Sequence, residues 1–268
     1  NQRGGIFVLS LDQLQAEEIV LLRSAAGIVV QGERGTLYEQ LNTQPAPRTP
    51  LPALMPTQPP RRDLSDPEWP EPLALTHENG YGGFSEDGRE YVIDLPSGQM
   101  TPAPWSNIIG YPEFGFMATE SGSQTTWAVN SGENRLTPWS NDPVTDPTGE
   151  ALYLRDEETA EIWSPTVLPA GAPVPHRIRH GAGYTLYESA SHGLRQELAV
   201  YASPEDPVKL VRLRVENRMD VPRRLTATQY VEWVLGTVPH TTRRYLIPAF
   251  DAETACLTVR NPYHMEPD

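Results

Sequence analysis

The residues best equipped for chemistry lie between Phe114 and Trp163. This stretch holds Trp127, Trp139 and Trp163, three of the six tryptophans in the chain, together with Glu120, Asn130, Glu133, Asn134, Arg135, Asn141, Asp142 and Asp146. Aromatic faces beside planar amides, carboxylates and a guanidinium suit a saccharide. Ring faces stack on sugar C–H groups, and the polar atoms fork onto vicinal hydroxyls. The middle of the stretch, residues 121–150, is rich in Ser, Asn, Gly, Asp and Pro and predicts a long irregular loop. Loops of that length in compact domains are functional or disordered, and Trp127, Leu136, Trp139 and Val144 give this one apolar anchors against disorder. The competing reading is a packed Ω-loop that caps a β-sandwich.

Other chemistries fare worse. Carboxylate pairs for glycoside cleavage are easy to find in a chain with 35 Asp and Glu, so a pair carries little weight. Asp142 and Asp146 each precede a proline, which favours an extended backbone and a rigid turn. Arg135 can grip an anion or sugar hydroxyls bidentately, or pair with Glu133 or Asp142. His176, His180 and His192 have no metal-ligand spacing and no cysteine partners, so no metal site is expected. No GxSxG elbow occurs, and Cys256 sits in a strand-like run, ACLTV. The glycine-punctuated run His77-Glu78-Asn79-Gly80-Tyr81-Gly82-Gly83-Phe84 reads as a turn and lacks the spacing of a phosphate-cradling loop.

The elements that must position the polar loop are strands. EYVIDL, ALYLRD, HRIRHG, YTLYES, LRQELAVYA, VKLVRLRVENR and RRLTATQYVEWVLG recur at short intervals separated by turn signals. Leu225, Ala227, Val231, Trp233 and Leu235 alternate with polar residues at the period of two of a half-buried strand. The pattern predicts a mainly β chain, a large antiparallel sandwich from residue 75 to residue 268. Ahead of it, residues 1–42 predict a helical lead-in: a helix from about residue 11 to about residue 30, with Ser10 as its N-cap, and a short second helix in TLYEQL. Between them, residues 43–74 are crowded with proline and predict an extended linker or surface strap. A ligand for an SH3-type partner is the minor alternative.

A net charge of −14 argues against binding nucleic acid or an anionic membrane. No apolar run approaches the ~20 residues of a spanning helix. One cysteine excludes an internal disulfide and points weakly to a reducing compartment. The chain opens on Asn rather than Met and closes on NPYHMEPD without a strand pattern, which suggests a piece of a longer protein.

The runs NGYGGFSEDGREYVI, TPAPWSNIIGYPEFGFMATESGS and NSGENRLTPWSNDPVTDPTGEALYLRDEETAEIWSPT resemble the inverting glycoside phosphorylases of family GH94, formerly GT36, across about residues 78–262. The lead-in and proline-rich stretch are similar to the segment ahead of that module in cyclic β-1,2-glucan synthases. The resemblance implies a β-supersandwich similar to galactose mutarotase, followed by an (α/α)6 barrel carrying the general-acid Asp. It implies inorganic phosphate as co-substrate and no other cofactor. It matches Glu133, Asn134, Arg135, Trp139, Asn141 and Asp142 to the family motif as substrate-facing residues and assigns no catalytic residue to this chain. The expected partners are a β-1,2-glucan or gluco-oligosaccharide, the barrel and a second copy of the chain. The expected setting is the cytoplasmic side of an inner-membrane parent, whose module trims glucan chains and so sets their length. The alternative is a structural or dimerisation module that supports the barrel without touching sugar.

Overall fold

The computed structural model describes residues 8–42, 55–57 and 70–263. Most of the proline-rich stretch expected to be a linker lies outside the described residues. The chain divides into two compact units, residues 1–53 and 54–268.

In the first unit the expected long helix is short. α1 covers Ala16–Ala25, and a 3-10 turn at Leu11–Gln13 precedes it. Ser10 makes no side-chain cap; the Gln15 N–H instead donates to Glu18 Oε2 at 2.8 Å. The helix ends ahead of Gly27-Ile28-Val29-Val30, where a glycine and three β-branched residues have low helix propensity. α2 (Leu37–Leu41) matches TLYEQL and carries a capping box: Thr36 Oγ1 accepts from Glu39 N, and Thr36 N donates to Glu39 Oε2 at 2.7 Å.

The second unit is the mainly β part. Its strands are β1 (Leu75–Thr76), β2 (Gly82–Ser85), β3 (Glu90–Leu95), β4 (Ser106–Gly110), β5 (Phe114–Thr119), β6 (Gln124–Ala128), β7 (Glu150–Asp156), β8 (Ile162–Trp163), β9 (His176–Gly181), β10 (Tyr184–Ser191), β11 (Leu194–Ala202), β12 (Lys209–Asn217), β13 (Leu225–Val231), β14 (Ile247–Asp251) and β15 (Cys256–Arg260). A one-turn helix, α3 (Pro239–Thr242), follows β13. One large sheet runs β1-β2-β3-β9-β10-β11-β12, antiparallel throughout. Smaller sheets run β4-β5-β6, β13-β7-β8 and β14-β15.

Two sequence expectations change. The glycine-rich run is partly strand: Leu75 pairs with Ser85 and Thr76 with Phe84, so only residues 77–81 turn. Gly82 is required there, since a Cβ would stand 2.0 Å from the Val92 carbonyl oxygen across the ladder. Likewise Gln124–Ala128 of the expected loop is β6, so the irregular stretch runs over 129–149.

The core sits between the large sheet and the sheets that hold β4–β5 and β7–β8. Ile93, Leu95, Ile178, Tyr187, Leu198 and Val200 of the large sheet pack with Ile109, Phe114, Phe116 and Ala118 of β4 and β5 and with Leu152 of β7. A second cluster joins Leu154, Trp163 and Leu194. Several buried polar groups are paired across the layers, which offsets their desolvation. Tyr187 donates to the Thr119 carbonyl at 2.7 Å, and Trp163 Nε1 donates to Gln196 Oε1 at 2.8 Å. Lys209 Nζ meets Glu150 Oε2 at 2.6 Å, with Thr126 and Thr137 hydroxyls donating to Glu150 Oε1. Burial opposes a charge on Glu150, but the Lys209 ammonium and those hydroxyls hold its carboxyl below the usual range.

Candidate functional site

The loop after β6 is built on one backbone residue. The Arg135 N–H donates to the Gly236 carbonyl at 2.9 Å, and Gly236 N donates back to Arg135 O at 3.0 Å. Arg135 also bridges Trp127, so it acts as a strand residue between β6 and the segment after β13. Residues 129–134 therefore form a tight excursion. Asn130 Oδ1 accepts from Gly132 N at 2.7 Å and Glu133 N at 3.0 Å, an Asx turn, and Asn134 N closes onto Asn130 O at 3.0 Å.

The Arg135 side chain turns back onto the same loop. Its Nε donates to Ser131 O at 2.9 Å and its Nη1 to Thr237 O at 3.1 Å. The guanidinium carbon stands 5.4 Å from the Trp139 ring centroid, within cation–π range. Two polar contacts are thus spent holding the turn to the 236–237 segment.

Four of the six expected site residues divide between two hollows. Glu133 and Asn134 line a cavity of about 590 Å³ with Asn130, Asn261, Tyr245 and Tyr263. Tyr245 and Tyr263 stand with ring centroids 4.7 Å apart at 58°. Asn261 is fixed by donating Nδ2 to Leu235 O at 3.0 Å and accepting Tyr263 N at 3.1 Å on Oδ1. Arg135 and Trp139 line a second cavity of about 280 Å³ with Trp127, Ile108, Met117 and Thr125. The Trp127 indole lies over Gly115 of the neighbouring strand, where a Cβ would stand 2.5 Å from the ring. Trp139 is 45% exposed, so one of its faces is open to a partner.

Asn141 and Asp142 line neither hollow. The Asp142 carboxylate is spent on its own turn, accepting from Val144 N at 2.9 Å, Thr145 N at 3.2 Å and Thr145 Oγ1 at 2.7 Å. The Thr145 hydroxyl first, and then the two amides, hold its carboxyl below the usual range. Asp146 is buried and accepts from Thr119 Oγ1 at 2.7 Å and Ser121 Oγ at 2.5 Å. Asp142 is a turn acceptor and Asp146 a buried one, and Asp146 stands at φ 37° rather than in the extended backbone that its proline favours. No group of three His, Cys, Asp or Glu side chains among the described residues is placed to hold a metal.

Tyr245, Asn261 and Tyr263 were not singled out from the sequence. They lie far along the chain, and the Arg135–Gly236 pairing and the Asn261–Leu235 bond bring their segments to Glu133 and Asn134. A lone tyrosine in RNPYH carries no local signal for this.

The larger hollow combines two aromatic rings with amide and carboxylate groups. Glu133 and Asn134 have no side-chain partner among the described residues, so their polar atoms are available to a ligand. Such a hollow can stack a sugar ring and take up its hydroxyls. Among the described residues no second carboxylate lines it, so it has no acid and base pair for hydrolysis.

The comparisons with known proteins agree with this architecture. The profile of the glycosyl hydrolase 94 supersandwich domain matches residues 89–268. The chain is 37% identical over 189 residues to the cyclic beta-(1,2)-glucan synthase NdvB of Rhizobium meliloti (strain 1021), covering 70% of this chain and 7% of that protein. It is 27% identical over 177 residues to the N,N'-diacetylchitobiose phosphorylase of Vibrio furnissii, covering 65% and 22%. It is 28% identical over 167 residues to the solabiose phosphorylase of Paenibacillus borealis, covering 58% and 20%. The chain thus spans a small part of the relatives it matches. It belongs to the glycosyl hydrolase 94 family, as a chain that carries the supersandwich domain.

Proposed function

We propose that this chain is the carbohydrate-facing sandwich of a cyclic β-1,2-glucan synthase, within the module that phosphorolyses β-1,2-glucan and sets chain length. The observation that carries this is the hollow where Glu133 and Asn134, whose side chains have no partner among the described residues, line one cavity with Tyr245 and Tyr263. The similarity to a cyclic beta-(1,2)-glucan synthase supports β-1,2 as the linkage. The partner barrel supplies the general acid, inorganic phosphate attacks the anomeric carbon, and the sandwich presents one wall of the sugar cleft. The parent is membrane-bound with this module on its cytoplasmic side. Among the described residues of this chain, no helix is long and apolar enough to cross a membrane.

The test is calorimetric titration of the chain with a linear β-1,2-gluco-oligosaccharide. Binding is expected, weakened about tenfold by Tyr263→Ala, the loss of roughly 1.4 kcal/mol of stacking. Absence of heat with the wild-type chain would leave the sandwich as a support for the barrel.

A further inference from the structure

A separate hollow shares no lining residue with the two described above. It measures about 320 Å³, within the range of ligand pockets, and is lined by Asn79, Tyr91, Trp105, Ser106, Asn107 and His180. We propose that it is a second saccharide-binding site, taking one pyranose unit of a neutral glycan, and that it acts independently of the loop hollow.

Its walls are aromatic and held by other rings. Tyr91 and Trp105 stand with centroids 6.0 Å apart at 66°. Tyr81 packs against Trp105 at 5.7 Å and Phe84 against Tyr91 at 5.1 Å, both edge-on. The Trp105 backbone is clamped: its N–H donates to Glu120 Oε2 at 2.7 Å, and its carbonyl accepts from Glu120 N at 3.0 Å. Two walls at this angle offer no parallel slot for a flat aromatic ligand. They form a corner that suits a puckered ring with C–H groups on its faces and hydroxyls at its rim.

The polar floor is oriented and partly unspent. Asn107 donates its amide nitrogen to Gly181 O at 2.9 Å, Tyr184 O at 2.8 Å and Thr185 Oγ1 at 3.2 Å, which fixes the amide and leaves its oxygen as an acceptor. Asn79 Nδ2 donates to the Tyr91 hydroxyl oxygen at 2.9 Å, leaving the phenol proton to donate. The Trp105 indole N–H has no partner among the described residues. The hollow therefore offers donors and an acceptor side by side, as vicinal hydroxyls require.

No lining group carries charge at neutral pH, which selects a neutral ligand. His180 is the one titratable base, and its ring nitrogens lie 3.0 Å from Thr185 Oγ1 and 3.3 Å from the Trp105 carbonyl. Since that carbonyl only accepts, Nε2 donates to it and Nδ1 accepts from Thr185. Burial pushes the ring down to about 4, so it is an uncharged wall.

The test follows the Trp105 indole N–H resonance, assigned with Trp105→Phe, while the whole chain is titrated with a short linear β-1,2-gluco-oligosaccharide and, separately, a cello-oligosaccharide. A saturable shift is expected with at least one of them. Tyr91→Phe removes only the phenol group; it is expected to weaken the response about three- to tenfold, one neutral hydrogen bond, at unchanged melting temperature. Tyr263→Ala is expected to leave the Trp105 response intact, which separates this site from the loop hollow. A Trp105 resonance unmoved by both saccharides, or moved equally in Tyr91→Phe, overturns the proposal whatever the loop hollow does.

Discussion

Arg135 looks from its sequence neighbours like a ligand-gripping cation, yet its side chain is tied to Ser131 O and Thr237 O and lies against Trp139. Each hydrogen bond from a charged group contributes roughly 1.5–3 kcal/mol when shielded, and less where solvent reaches it. Arg135→Ala is therefore expected to cost about 1–2 kcal/mol of unfolding free energy in a urea titration. Arg135→Lys is expected to recover only part of this, since an ammonium cannot reproduce the planar fork. An unchanged midpoint in Arg135→Ala would show that the turn stands without it. Glu133 behaves differently: with no partner to lose, Glu133→Gln is expected to leave the melting temperature unchanged while altering oligosaccharide binding. At this scale the sequence showed which residue types gather in the loop. It did not show which were already spent: a carboxylate that caps its own turn, like Asp142, and one left open, like Glu133, look alike in one dimension.

At the scale of elements, the Glu150–Lys209 pair joins β7 to β12 in the interior. Removing one partner leaves a buried charge without its counterion, at about 3–5 kcal/mol, whereas replacing both with apolar residues can be neutral. Glu150→Gln is expected to destabilise by that amount, and Glu150→Gln with Lys209→Met to recover most of it, read by chemical denaturation. The pH dependence follows from the same pair. A carboxyl whose pKa is depressed in the folded state contributes stability that is present above its unfolded value, ~4.3, and lost as pH falls below it. Wild-type melting temperature is therefore expected to fall on acidification below about pH 4.5, more steeply than in the double variant. The strands were legible because their alternation and turn residues are local: β3, β7, β9, β10, β11 and β12 fall on the apolar runs read from the sequence. The helix was overextended because apolar spacing continued through Gly27 to Val30 while propensity did not. β6 was missed because its residues, QTTWA, carry the composition of a loop, and their strand form depends on pairing with β5.

At the scale of the whole molecule, the family and the mainly β architecture were readable from three sequence runs, because each run joins a strand to a turn of unusual composition. How the runs converge was not. The loop hollow needs Tyr245 and Tyr263, which pairing alone brings to Glu133. The two hollows lined by the expected site residues contain one carboxylate, Glu133, among the described residues. With the general acid proposed to come from the barrel, the purified chain, given β-1,2-glucan and inorganic phosphate, is expected to release no glucose 1-phosphate. Release of that product would place the general acid within this chain.

The neighbouring strands β3 and β9 lie side by side in the large sheet, yet residues 96–175 separate them in the chain. Everything between them, including β4 to β8 and the whole 129–149 loop, is one long excursion closed at its base by that ladder and tied to later segments by the β7–β13 and Arg135–Gly236 pairings. Closing so long a loop costs only slightly more entropy than closing a short one. It does demand that distant segments meet before their contacts reward them, and chains rich in such pairings fold in milliseconds to seconds. Substitutions that weaken the β3–β9 ladder, such as Ile178→Ala, should therefore slow refolding at least as much as they speed unfolding if this closure is the nucleating event. The excursion that carries Glu133 and Asn134 would then become ordered only after the sheet beneath it has closed.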